Sequence, residues 1–311
     1  MAQKELSELV GKIIDQPASR IVVGNGAAEL IKIVSGTMAQ KLIIPVPSFN
    51  EYANAAPPGQ VVEFPLDFPS FKLDVDKFTE AAIKAKADIA VVVSPNNPTS
   101  LLVPKSDIIR LIISLAKNNC MLILDESFLD FSEDPEQTSI EKDIDKYPNL
   151  AIFKSMSKAY GICGLRIGYL LTANSQFAER VRAGIPIWNL NGFAEEFLRQ
   201  LPDFKEEFTE SCKQVRNDRD ILYKELSKLK GMVIYRPDAN YIYCRVPDKG
   251  VNGPELAKSL FVKHNIFIKD CAGKTQPEAD RYLRIASRTK VENQKLVTAL
   301  VDVMSSETKE G

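Results

Sequence analysis

The chain has one histidine, one tryptophan and almost no net charge, with 40 lysines and arginines against 41 acidic residues in 311. That balance leaves no basic field to attract nucleic acid. The five cysteines (Cys120, Cys163, Cys212, Cys244, Cys271) are scattered, odd in number and form no Cys-x-x-Cys. They fit reduced intracellular thiols better than a disulfide framework or a zinc site. No apolar run approaches the roughly 20 residues needed to span a bilayer. The polar start Met1-Ala2-Gln3-Lys4-Glu5 does not read as a signal peptide. A soluble, cytoplasmic protein with neither nucleic acid nor membrane as partner is expected. The lone His264, in a helical Lys-His-Asn context, reads as a helix-end residue rather than an acid or base.

With 45% hydrophobic residues, the chain can bury a core sufficient for one large or two ordinary domains. Short apolar runs alternate with longer amphipathic ones, the pattern of βα units on a mostly parallel sheet. Strands are expected at 21–23, 42–45, 61–64, 89–93, 121–125, 151–154 and 169–171. The last two are joined by a short segment with no obvious helix, so the final strand should run antiparallel. After Trp188-Asn189-Leu190-Asn191-Gly192 the character changes. A charged amphipathic helix over about 202–230 precedes strands at 233–235, 241–246, 266–268 and 283–286, with helices at 255–264 and 291–305. The expected division is a larger domain over 1–195 and a smaller C-terminal α/β domain over 196–311, with 306–311 a disordered tail.

The most informative segment is Ser155-Met156-Ser157-Lys158-Ala159-Tyr160-Gly161, closed by Gly164-Leu165-Arg166-Ile167-Gly168. It sets a lysine in a small-residue turn with a hydroxyl three residues before it and an arginine eight after. An aldehyde cofactor carrying a phosphate needs that set. The amine forms a Schiff base, the hydroxyl and cation hold the phosphate, and small residues let the backbone approach. A solvated lysine in a Ser/Gly loop is the bland alternative.

Other segments fall at strand ends. Gly24-Asn25-Gly26-Ala27-Ala28-Glu29 follows a strand and opens a helix, where backbone N–H groups can receive phosphate, although Gly-x-Gly is also common packing. Pro47-Ser48-Phe49-Asn50-Glu51-Tyr52 follows the second strand. Ser94-Pro95-Asn96-Asn97-Pro98-Thr99-Ser100 lies at the carboxyl end of a buried strand, where open α/β sheets bind ligands. Asp125-Glu126-Ser127-Phe128 ends the next. By period two, Arg284, Ala286 and Arg288 share a strand face, and the planar arginine fork suits carboxylate or phosphate. A solvated strand face is the alternative there.

Together these motifs resemble the class I/II, fold-type I aminotransferases, which use pyridoxal 5'-phosphate (PLP). The resemblance is closest to the branch of histidinol-phosphate aminotransferases and threonine-phosphate decarboxylases. It implies a mostly parallel seven-stranded sheet with one antiparallel strand. It implies that Lys158 carries the Schiff base and shuttles the proton, and that Ser155, Ser157 and Arg166 contact the phosphate. Ala27 and Ala28 become backbone ligands, and Tyr52 stacks on the pyridine face. Asn97 donates to the phenolic oxygen, and Asp125 salt-bridges the pyridinium nitrogen. Arg284 becomes the clamp on a substrate anion, with Arg288 and Asn191 as further substrate contacts.

Three departures stand out. Ser100 replaces a usual glycine, and Phe128 replaces a tyrosine that would bond the phenolic oxygen. Phe128 resembles the decarboxylase branch and the aminotransferase domains fused to nucleotidyltransferases. The front end is short, without the usual arm, so a piece of a longer fusion polypeptide is one expectation. The readings that follow are an aminotransferase for a small anionic amino compound with a 2-oxo acid acceptor, a decarboxylase of a phosphorylated amino acid, or a non-catalytic domain. The family builds its sites from two subunits, so a homodimer is expected.

Overall fold

Runs of branched apolar residues between turns form the strands of the larger sheet in this computed structural model, which describes residues 3–307. They are β1 (Ile21–Asn25), β2 (Leu42–Val46), β3 (Val61–Pro65), β4 (Ile89–Val93), β5 (Met121–Asp125), β6 (Leu150–Ser155) and β7 (Ile167–Thr172). Their order is β1-β7-β6-β5-β4-β2-β3. β7 pairs antiparallel with both neighbours, and the other pairs are parallel. All five residues of β4, Ile-Ala-Val-Val-Val, are buried, as a parallel strand covered on both faces requires.

The helices of this part are α1 (Gln3–Ile14), α2 (Ala27–Ile33), α3 (Glu51–Ala55), α4 (Val75–Ala85), α5 (Lys105–Ala116), α6 (Pro135–Thr138), α7 (Met156–Ala159), α8 (Ser175–Gly184) and α9 (Gly192–Gln200). One core packs Leu6 and Val10 of α1 with Phe78 of α4 and Leu111 and Leu115 of α5. The core on the other face gathers Leu30 and Ile31 of α2 with Ala178 and Val181 of α8.

A second sheet, ordered β10-β11-β9-β8, contains β8 (Val233–Ile234), β9 (Tyr241–Arg245), β10 (Lys269–Asp270) and β11 (Tyr282–Ala286). Its core includes Leu222 and Leu226 of α10 (Lys205–Leu226), Leu256 and Leu260 of α11 (Gly253–His264), and Leu300 and Val303 of α12 (Lys290–Glu307).

The structure departs from the sequence expectations at several points. The β6–β7 link contains a single helical turn, α7, and the connection still reverses the chain. The strand expected at 266–268 forms at Lys269–Asp270 instead. Asn265, at φ 54°, caps α11, and the Ile266 N–H bonds back to Leu260. The apolar Ile266 and Ile268 therefore serve the helix contact and third core before strand pairing begins. The domain boundary expected after residue 195 falls inside α9, whose Ala194 and Leu198 join the first core. Helix α12 takes in Ser306 and Glu307 of the expected tail, and the rest of that tail lies outside the described residues.

The two parts are tied by polar groups. Ser100 adopts φ 63°, the left-handed conformation that makes glycine the usual occupant, and uses the side chain a glycine lacks. Its hydroxyl accepts from the Ala239 N–H at 2.9 Å and its carbonyl accepts from Asp238 at 2.8 Å. Arg219 of α10 is 5% exposed and donates to the carbonyls of Phe131 at 2.8 Å and Ala239 at 3.3 Å. Arg219→Met should therefore strand two acceptors and lower unfolding free energy by about 1–3 kcal/mol. Urea unfolding checks this, and an unchanged midpoint would show that the tie contributes nothing.

Candidate active site

β1 is antiparallel to β7, which is antiparallel to β6, so β1 runs parallel to β6. The carboxyl ends of β1, β2, β4, β5 and β6 therefore share one edge, and the motifs that follow those strands gather there. The register brings them close. Gly168 pairs with Gly24 on one side and Ser155 on the other, while Asp125 pairs with Val93 and Phe153.

Asp125 ends β5 at 4% exposure. Its Oδ2 accepts from the Tyr52 hydroxyl at 2.9 Å and its Oδ1 from the Ser127 N–H at 2.9 Å. Burial pushes the carboxyl above the usual range, opposed by the Ser127 and Tyr52 hydrogen bonds and by the charge of Lys158. Tyr52 is fully buried, and burial foremost, then Asp125, drives its phenol well above its usual range. Ser127 Oγ accepts from the Ser155 N–H at 2.9 Å, joining the end of β5 to the lysine turn. Lys158 itself is exposed on α7.

A second group fits an anion. Ala27 and Ala28 are the first two residues of α2, where helical N–H groups have no intrahelical partner. A side chain at Gly168 would overlap the Ala27 nitrogen, so glycine there lets this helix start approach β7. Arg166, in the left-handed region at φ 61°, lays its guanidinium against Gly26, where an added Cβ would overlap it. The Gly26 N–H donates to the Arg166 carbonyl at 2.8 Å. The Ser157 hydroxyl is buried without a hydrogen-bond partner. An orphan hydroxyl, a guanidinium and open helix N–H groups form a donor set suited to phosphate.

Asn97 and Arg284 meet across the two parts of the molecule. Arg284 Nη1 donates to Asn97 Oδ1 at 2.6 Å, leaving the Asn97 NH2 free to act as a donor elsewhere. The guanidinium lies 5.2 Å from the Tyr241 ring centroid, and the Tyr241 hydroxyl bonds the Asn96 carbonyl at 2.9 Å. Phe128 packs edge-on against Tyr241 at 5.0 Å.

Two expected substrate contacts are placed differently. β11 ends at Ala286, so Arg288 lies beyond the strand and does not share its face with Arg284. Arg288 instead pairs with Glu292 at 3.0 Å near the start of α12, an exposed i,i+4 contact. Asn191 caps α9, its Oδ1 accepting from Ala194 at 3.0 Å and its Nδ2 donating to the Leu165 carbonyl at 3.1 Å. Both side-chain atoms thus order the segment beside Arg166.

Sequence reasoning gave no role to Ser127, although it stands in the motif at the end of β5, and missed Tyr241, which carries no pattern of its own. It also missed a partly buried charged cluster behind the site. Lys154 lies 3.2 Å from Asp130, and the Tyr169 hydroxyl donates to Glu141 at 2.6 Å. Glu126 accepts from Ser139 at 2.6 Å, and burial foremost, then Glu141, pushes its carboxyl up to about 7. The available signal was a lysine inside the apolar run of β6.

The family model for aminotransferase class I and II matches residues 2–300. The chain is 41% identical over 303 residues to CMP-5'-(3-aminopropyl)phosphonate synthase of Streptomyces rubellomurinus, covering 97% of this chain and 48% of that protein. It spans about half the length of that protein and of a second curated relative at 35% identity. It is 29% identical to L-serine phosphate decarboxylase of Sulfurospirillum multivorans, with 97% and 78% covered. Histidinol-phosphate aminotransferase from Clostridium acetobutylicum superposes with a TM-score of 0.89 at 28% identity, covering 98% of this chain and 89% of that one.

If Ser157, Arg166 and the α2 start form one anion site, the protein should bind inorganic phosphate, and Arg166→Gln should weaken it about 10- to 100-fold. Isothermal titration calorimetry on cofactor-free protein reads this directly. Equal affinity in the variant would remove Arg166 from the site.

Proposed function

The chain belongs to the class I and II aminotransferase family, and on that premise we propose that it is a PLP-dependent aminotransferase acting on a small amino compound with a phosphate, phosphonate or carboxylate end. The observation that carries the reading is the buried Asp125, held by Tyr52 and Ser127 and within electrostatic reach of Lys158. When bound, PLP supplies an aldehyde for amines and a ring that accepts the electron pair left at Cα. Asp125 holds the proton on the ring nitrogen, and its buried carboxylate gains a counter-charge by doing so. Ser155, Ser157, Arg166 and the N–H groups of Ala27 and Ala28 hold the phosphate. The Asn97 NH2 would donate to the phenolic oxygen. Tyr52, fully buried with its hydroxyl on Asp125, steadies that carboxylate instead of presenting the open face expected to stack on the ring. Lys158 would hold the cofactor through its amine and would move the substrate's Cα proton. Arg284 clamps the substrate anion, and a 2-oxo acid accepts the amino group.

A second reading is decarboxylation, with the same residues and carbon dioxide lost from Cα. The similarity to a serine phosphate decarboxylase favours it. A homodimer in the cytoplasm completes the proposal. The exposed apolar side chains of Ile187, Trp188 and Phe193, at 80% or more, support a subunit contact beside the lysine turn. Among the described residues no helix is long and apolar enough to cross a membrane.

Lys158→Ala should lose turnover and the absorbance band that borohydride removes, and peptide mapping of the reduced wild type should place the adduct on Lys158. Normal turnover by the variant would end the assignment. Asp125→Asn should retain PLP but lose several orders of magnitude in rate, and a value within a few fold of wild type would make the carboxylate structural. Parallel assays of 2-oxoglutarate-dependent amino transfer from 3-aminopropylphosphonate and of carbon dioxide release from phosphoserine separate the two readings. Amino transfer without release is expected, and the reverse would overturn the proposal.

A further inference from the structure

Among the described residues, two cations on the smaller part of the molecule have no carboxylate within salt-bridge distance. Arg284 rests on the neutral Asn97 amide. Lys274, in the loop between β10 and β11, reaches across to the larger domain. Its Nζ donates to the Ser48 carbonyl at 2.5 Å and to Asn50 Oδ1 at 2.7 Å, both neutral acceptors. Among the described residues neither cation is paired with a carboxylate. Lys269, the cross-strand partner of Arg284, does have one, Asp270 at 4.0 Å.

The two cations sit on one polar shelf. Ser48 Oγ donates to Asn96 Oδ1 at 2.8 Å, and the next residue, Asn97, receives Arg284. Lys274 is half-buried. Burial foremost pulls its pKa down to about 8, helped by Arg284 and Lys269 and opposed by Cys271. Like charges sharing a partly desolvated space repel, and an anion between them relieves the cost. Its ammonium has three donors, of which Ser48 and Asn50 use two. A carboxylate brings one negative charge to such a pair. A phosphonate or phosphate monoester brings up to two, with three oxygens to divide between a fork and an ammonium.

We infer that Lys274 is a specificity-determining residue that, together with Arg284, favours substrates ending in phosphonate or phosphate over those ending in carboxylate. The inference rests on the reading of Arg284 as the substrate clamp. Propylphosphonate and butyrate differ only in the anionic end and lack the amine needed to react, so they isolate this preference. Their dissociation constants are to be measured by calorimetry on full-length, PLP-loaded protein.

The wild type should prefer propylphosphonate. Lys274→Gln should weaken propylphosphonate about 10- to 100-fold but butyrate less than about 3-fold. Lys274→Arg keeps the charge and should keep the preference, which also guards against a folding defect in the glutamine variant. Arg284→Gln should weaken both ligands. Loss in Arg284→Gln combined with an equal or absent effect on both ligands in Lys274→Gln would overturn the inference alone, reducing Lys274 to an interdomain tie. Lost preference in Lys274→Arg would count against a charge-based role. No loss in Arg284→Gln, or no binding of either ligand by wild type, would overturn the clamp and the inference with it.

Discussion

Parallel strands oblige every crossover to leave from the same edge, and the arrangement of the site depends on that constraint. β1, β2, β4, β5 and β6 each release the chain at their shared carboxyl edge, so residues as distant as Ala27 and Ser157 begin on either side of the start of β7. Because β7 runs antiparallel, it starts at that same edge, which places Arg166, the residue before it, there as well. This return requires glycine at 168, because a side chain there would push away the start of α2. Topology sets the approach of the segments, and one missing Cβ sets how close they come.

Burial of charge follows from the same geometry. Successive residues of a strand face opposite sides, so at the end of β5 Asp125 meets Tyr52 while Glu126 meets Ser139 on the other side. Lys154 and Asp130 extend that second side into a partly buried polar cluster. Although burial works against the Lys154 charge, the nearby Asp130, Glu141 and Glu126 more than offset it. Such a cluster is costly to desolvate and stabilises only while its partners remain in place. It supports the ends of β5 and β6, the two strands that deliver Asp125 and the lysine turn.

The larger sheet was legible because its strands are continuous apolar runs, and the antiparallel return followed from the length of one link. The motifs at strand ends were legible because they pair unusual residue types with strand ends. What escaped had no such local mark. The one-turn α7 is too short to show a period, and the Lys269–Asp270 strand is polar, displaced by apolar residues committed to capping α11. Alternation placed Arg288 beside Arg284, but the strand stopped two residues earlier and Glu292 offered a nearer partner. Lys274 was invisible because its significance lies in acceptors 226 and 224 positions away in sequence.

On the proposed reading, the larger domain supplies groups common to amino transfer and decarboxylation. Asp125, Ser157, Arg166 and Lys158 hold or use the cofactor in the same way whichever bond at Cα is broken. The choice depends on which substituent stands perpendicular to the ring, and that orientation is set where the far end of the substrate is gripped. Those grips come from the smaller domain, through Arg284, seated on Asn97 and beneath it the Tyr241–Asn96 contact. Asn97 bonds Arg284, and if its NH2 also meets the phenolic oxygen as proposed, a shift of the clamp would reach the ring through a single side chain. On that reading, reaction specificity would be set at the contact between the two parts rather than in the lysine turn.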